Sequence, residues 1–287
     1  MRITTGQLRQ LIRERLLSES RYFGMSVSDI LSYLEGFGNN TWIFFDTETT
    51  GLPNVVHTGQ LTNIGAVAVN PKNWDVEPQV LGEFNEMIEL NPSVQAQREE
   101  QDENPDPERR SRAWTISQAL DNTGYHEWEG EYLDEQAVIA NFINFVNSFS
   151  SPVLVAQNAS FDMKWIFTRS KTKMKRYPVI DTMRIMQYFL VPLLRTLRLP
   201  PHEDNEAAQF LAKLQRGKRY STSMGIVAGA YGISTQNWHT ALPDAKMLME
   251  LLQHVVQTLR SGVDVDISSE HSKNVAYQFR RKKGRPR

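Results

Sequence analysis

The chain has 287 residues, 40% of them hydrophobic, a formal net charge of −1 and no cysteine. That length suits one domain of roughly 200 residues with appendages, because single cores stop growing near about 250–300 residues. The composition excludes disulfides and thiolate metal sites, and no run of about 18 apolar residues suggests a membrane span. The opening residues carry no uninterrupted apolar stretch of the kind that marks a secretory signal. A soluble, cytoplasmic protein with no membrane partner is therefore expected.

Residues 4–17 place Leu8, Leu11, Ile12 and Leu16 at helical spacing, with Thr4 and Gln7 suited to a capping box. A second short helix is expected over Ser28–Glu35, closed by Gly36, with GFGNN (36–40) as a linker. Residues 1–40 thus read as a helical extension, and the main domain, over 41–262, starts near Thr41. Its first elements, TWIFF (41–45), LTNIGAVAVN (61–70) and VLGEFNEMIEL (80–90), predict three antiparallel strands. The next stretch, 91–113, is charged and interrupted by prolines, and predicts a solvated insertion. DEQAVIANFINFVNSF (134–149) has Val138, Phe142, Phe145, Val146 and Phe149 on one helical stripe, and the buried strand PVLVAQN (152–158) follows. Helices are then expected near 159–168, 182–190 and 243–259.

Two acids close the first strand. In WIFFDTETTGLP, Asp46 and Glu48 are two residues apart, so they project to one face just past an apolar run. Carboxylates that close repel unless a proton or a cation sits between them, and a divalent cation suits both. Asp162 and Asp244 fall in the first turns of two later helices, where the helix dipole favours a carboxylate, and His239 lies on the approach to the second. Each alone is equally an ordinary capping acid or a surface histidine. All five sit at element ends.

FDTETTG with QNASFD and HTALPDA resembles, in order and over about 42–259, the three motifs of the DEDDh 3′–5′ exonucleases, the ribonuclease T-like family that includes polymerase proofreading subunits. The resemblance implies a ribonuclease H-like α/β fold, a mixed five-stranded sheet with helices on both faces. It implies that Asp46, Glu48, Asp162 and Asp244 hold two Mg2+ or Mn2+ ions, and that His239 is the general base, with an ordinary pKa near about 6.5. It further implies that Thr49 and Thr50 offer backbone amides to the terminal nucleotide, that Leu52 wedges against its base, and that Asn158 and Phe161 contact substrate. Two departures stand out: Asn63 where many relatives carry an acid, and Gln157 where histidine is common. Altered substrate contacts are expected from both. The leader also resembles the openings of phage gene products, which would place the protein in a host cytoplasm.

The implied activity is release of 5′-mononucleotides from nucleic acid, DNA before RNA, with a replication or repair partner supplying any polymerase. The alternative is a catalytically silent nucleic-acid-binding module of the same fold. A haloacid dehalogenase-type phosphatase would need Asp where Glu48 stands. Phosphate contacts are expected from Lys164, Arg169, Lys171, Lys173, Lys175 and Arg176, a stretch free of acids, and from Lys213, Arg216, Lys218 and Arg219. The tail 263–287 is basic: from His271 onward it carries seven Lys or Arg and no acid. Its GRPR, with Lys283, Arg285 and Arg287 as the minor-groove contacts, resembles an AT-hook. A merely sticky basic tail is the competing reading.

Overall fold

The computed structural model describes residues 26–51, 59–72, 78–104, 115–170, 177–196, 206–217, 219–235 and 239–261; for 194–196, 206–209 and 261 it describes the backbone. The leader helix, Leu52, the lysines of 171–175 with Arg176, Lys218 and the basic tail lie outside these residues. The chain divides into two compact units. One holds Phe37–Met183 and Ser223–His254 and carries the main sheet; the other holds residues 26–36, Arg184–Thr222 and 255–261 of the described chain.

In the second unit, helix α1 (Val27–Glu35) matches the expected short helix and begins at a capping box: the Ser26 N–H donates to Asp29 Oδ2 at 2.7 Å, and Ser26 Oγ accepts from the Asp29 N–H at 3.1 Å. Gly36 ends it, as expected.

In the sheet-bearing unit, β1 (Thr41–Thr49), β2 (Leu61–Asn70) and β3 (Gln79–Ile88) are antiparallel neighbours. Next come α2 (Pro92–Glu103), α3 (Ile116–Asn122), the short β4 (Tyr132–Leu133), α4 (Glu135–Asn147), β5 (Pro152–Ala156), α5 (Ala159–Arg169) and β6 (Val179–Asp181). The sheet order is β4-β3-β2-β1-β5-β6, with β5 parallel to β1 and β6 parallel to β5. This is the expected mixed α/β sheet with one strand more than the expected five: the two-residue β4 adds to β3 in parallel. The insertion also differs from expectation, because Pro92–Glu103 is helix. Pro92 stands at its first positions, where the missing N–H has no partner to lose, and Val94 is its buried contact.

After these, α6 (Thr182–Ile185), a π-helical turn (Met186–Leu190), α7 (Val191–Thr196) and α8 (Glu206–Leu214) lead to a hairpin of β7 (Gln215–Arg216) and β8 (Arg219–Tyr220). The chain returns to the sheet-bearing unit through α9 (Met224–Tyr231) and enters α10 (Ala241–Ser261), two residues longer at each end than the sequence predicts. Among the described residues no helix is long and apolar enough to cross a membrane.

β1 lies between β2 and β5, which explains its near-continuous burial. Its two-residue period sends Ile43, Phe45 and Thr47 to one face and Trp42, Phe44, Asp46 and Glu48 to the other. The first face packs on α4 and α5 in a core that includes Phe45, Ala66, Phe84, Val138, Phe142 and Trp165. Phe142 meets the Phe45 ring at 5.5 Å and Phe84 edge-on at 5.7 Å. On the opposite face the first turn of α10 lies directly on β2. A Cβ at Gly65 would come within 2.1 Å of the Leu242 nitrogen.

Candidate active site

The two acids of β1 face the place where α10 begins. Asp46 pairs across the ladder with Gly65, and Glu48 with Asn63. Asp162 arrives in the first turn of α5, after Asn158, whose left-handed backbone (φ 58°) turns the chain out of β5 into the helix. Thr47 Oγ1 donates to Asp162 Oδ1 at 2.7 Å, tying α5 to β1. Asp244 arrives in the first turn of α10, and its Oδ2 accepts from the His239 N–H at 3.2 Å. His239 itself has φ 76°, a conformation a non-glycine residue holds only where its surroundings fix it.

The structure brings the five sequence-predicted residues to one place. One ligating atom each from Glu48, His239 and Asp244 lie within 4.8 Å of one another, and Asp46 interacts electrostatically with Asp162, Glu48 and Asp244. Asp162 and Asp244 are only 2% and 3% exposed. Burial, reinforced by repulsion from the other carboxylates, pushes Glu48 up to about 8 and Asp46 well above the carboxylate range. Asp162 rises to about 7 chiefly through burial, opposed by the hydrogen bond from Thr47. Asp244 also rises to about 7 through burial, opposed by the His239 N–H. Burial moves His239 the other way, below its usual value.

The cluster therefore concentrates more negative charge than its own surroundings stabilise. Asp244 Oδ1 is buried without a hydrogen-bond partner, although its sister oxygen is held by His239. An orphaned carboxylate oxygen amid three other acids, with no thiol in the chain, fits a hard, oxygen-preferring divalent cation. Asp46, Glu48, Asp162 and Asp244 would hold it, with His239 alongside.

Other expectations meet different surroundings. The Thr50 N–H, expected to face a nucleotide, donates to Gln60 O at 2.9 Å, and Thr50 Oγ1 accepts from the Gln60 N–H at 3.0 Å. Thr49 Oγ1 closes the turn onto Gly51 O at 2.9 Å. Both threonines thus shape the turn, and the Thr50 amide is committed within the fold. Asn158 sits at the α5 corner, where its N–H donates to Asp181 Oδ1 at 3.1 Å. Phe161 is half-buried against the core, its ring 6.5 Å from Trp165. Arg169 does not stand free for phosphate: it pairs with Glu135 at 3.0 Å, donates to Gly59 O at 2.5 Å and stacks over Trp165 at 4.7 Å. Arg216, on the exposed β7–β8 hairpin, donates to the carbonyls of Gln215 and Lys213 at 2.9 and 3.4 Å. Leu52, Lys283, Arg285 and Arg287 lie outside the described residues.

The sequence reading missed two residues. Asp181, at the end of β6, adds a fifth carboxylate near Asp162 and raises its proton affinity; its only sequence signal is an acid ending the short apolar run VID. Gln60, fully buried, accepts from the Asn91 N–H at 2.9 Å and donates to Glu89 O at 2.6 Å. It links the Thr50 turn to the start of α2. Asn63, expected to alter substrate contacts, is buried, with its side chain hydrogen-bonded within the fold.

No protein-family profile matches the chain. Over 230 residues, 79% of its length, the chain is 25% identical to the PolC-type DNA polymerase III of Clostridium perfringens (strain 13 / Type A), and the match spans 12% of that protein. By structure it is similar to Escherichia coli exonuclease I in complex with a dA16 oligonucleotide, at 17% identity and a TM-score of 0.50, covering 76% of this chain and 41% of that one. A 3′-exonuclease that recognises the histone mRNA stem-loop aligns at 11% identity and a TM-score of 0.46, over 79% of this chain and 84% of that one. The likeness to exonuclease I is one of fold.

Proposed function

We propose, for a chain whose sequence match and fold support the DEDDh-type 3′–5′ exonuclease family, that it is itself a divalent-cation-dependent 3′–5′ exonuclease acting on nucleic acid, DNA before RNA. The observation that carries this reading is the convergence of Asp46, Glu48, Asp162 and Asp244 from three elements onto a buried cluster, with an unpartnered Asp244 oxygen and His239 beside it. Residues 41–262 would form the catalytic domain. The similarity to a DNA polymerase supports DNA as the substrate and a replication or repair enzyme as the partner.

In the reaction, water attacks the terminal phosphodiester, the P–O3′ bond breaks, and a 5′-mononucleotide leaves a strand ending in a 3′-hydroxyl. Bound to the four carboxylates, two Mg2+ or Mn2+ ions would polarise the phosphate and acidify the attacking water. His239 would take that water's proton; its lowered pKa keeps it neutral and ready at neutral pH. The carboxylates supply the negative shell, Thr47 fixes the rotamer of Asp162, and the His239 backbone fixes that of Asp244.

The direct test is digestion of 5′-labelled single-stranded DNA, duplex DNA and RNA. Stepwise shortening from the 3′ end is expected with Mg2+ or Mn2+, and none in excess chelator. Full activity in chelator would refute the cation-dependent reading. For the base, His239→Ala should lower turnover by about 10²–10⁴-fold while cation binding survives. In the wild type, turnover should rise as His239 loses its proton, at a pH below the usual 6.5, and then level. A variant with the wild-type rate and profile would make His239 structural.

A further inference from the structure

We propose that Asn63 and Gly65 of β2 are positioning residues: together they seat the first turn of α10 and so aim Asp244 and the His239 turn at the carboxylate cluster. The kinetic part of this inference rests on the exonuclease reading; the seat itself does not.

A helix starts with backbone N–H groups that lack intrahelical partners, and a nearby side chain usually satisfies one of them. Here the Ala241 N–H, at the first position of α10, is satisfied from another element 178 residues away: it donates to Asn63 Oδ1 at 3.2 Å. Asn63 is 3% exposed. Its Nδ2 donates to Asn85 Oδ1 at 3.0 Å and to Glu86 O at 2.8 Å, both on β3. With both N–H bonds turned toward β3, the oxygen has to face the helix. The amide is thus locked from one side and caps α10 from the other.

Gly65 fixes the distance. A side chain there would meet Ala241 and Leu242 backbone atoms at 2.1–2.5 Å, so the helix rests on the bare backbone of β2. These atoms belong to backbone and cannot swing aside. In register, Asn63 stands opposite Glu48 and Gly65 opposite Asp46. The residues that place α10 are therefore the ladder partners of the two acids of β1. The path from seat to site is short: the Asp244 N–H donates to Thr240 O at 2.9 Å, and Asp244 Oδ2 holds the His239 N–H. A neutral amide also caps the helix without adding a charge opposite Glu48, which a carboxylate at this position would do.

The test uses the full chain with Asn63→Leu, Gly65→Ala and, as a control on the same sheet, Gly82→Ala, whose new Cβ would meet only Phe145 and Phe149 side chains at 3.4–3.9 Å. Mn2+ titration by calorimetry, normalised to the folded fraction from thermal unfolding, should show a loss of about 10–100-fold in affinity for both seat variants. Their kcat should fall by about 100-fold, the scale of a misplacement of about 1 Å, while KM for a short oligonucleotide stays within about threefold. Gly82→Ala should match the wild type in all three. If Gly65→Ala does not fold, Asn63→Leu decides. A folded Asn63→Leu with wild-type Mn2+ affinity overturns the seat, as does an equal loss in Gly82→Ala, and a rise in KM with unchanged kcat would make Asn63 a substrate contact. Should the wild type bind Mn2+ yet cleave nothing, the exonuclease reading fails, and the Mn2+ affinities still decide the seat.

Discussion

Asp46→Asn should leave a folded protein whose turnover is lower by about three orders of magnitude or more, at about 1.4 kcal/mol per decade of rate. Asp46 earns this expectation by position. It interacts with each of the other three, Asp162, Glu48 and Asp244, so its loss should weaken the hold of a cation shared among them. The substitution keeps the side chain's shape and removes only its charge. KM for an oligonucleotide should move little, because the turn at Thr49–Gly51 is built by its own hydrogen bonds, so the loss should fall on kcat. Single-turnover rates with saturating Mn2+ make the measurement. A near-normal rate would remove Asp46 from the chemistry and, with it, the reading of the cluster as a catalytic centre.

The acids were legible in the sequence because local rules place them. A period of two aims Asp46 and Glu48 together, and helix starts hold Asp162 and Asp244. Strands β1, β2 and β3 and the stripe of α4 were legible for the same reason. What escaped is long-range. Nothing in the periodicity of LTNIGAVAV says that Asn63 will cap a helix 178 residues on, or that the glycine two places later marks where that helix touches down. Gln60 likewise looks like an ordinary polar residue until its amide is seen bridging Glu89 and Asn91. Helix α2 was hidden differently. Its charged face and sparse apolar positions give little amphipathic signal, with Val94 its single buried residue, so composition pointed to a loop while Pro92 in fact opens a helix.

Without cation, Glu48→Gln should be more heat-stable than the wild type, and increasingly so as pH rises. The sign follows from the direction of the shift. Glu48 has an ordinary value of 4.5 and is pushed up to about 8 in the folded protein, mainly by burial. Between those values the unfolded chain releases a proton that the folded chain retains, so stability is greatest below 4.5 and is lost as pH climbs through about 8. Asp162 and Asp244, raised from 3.8 to about 7, act in the same direction. A glutamine stays neutral throughout and escapes Glu48's share of the loss. In chelator, its Tm should exceed the wild-type value by several degrees near the top of the window and by little at the bottom. Saturating Mn2+ should reverse the ranking, because a cation that binds the ionised native cluster stabilises the wild type by mass action and finds one ligand fewer in the variant. Stability would then be lowest where the empty cluster is ionised and highest where a cation fills it, so one set of residues would serve both as a weak point of the fold and as its binding site. Scanning calorimetry of both proteins across the window, with and without Mn2+, reads each part separately. A wild-type Tm that rises with pH relative to Glu48→Gln in chelator would mean that the carboxylates are already stabilised by the protein itself, and that the cluster has no need of a cation.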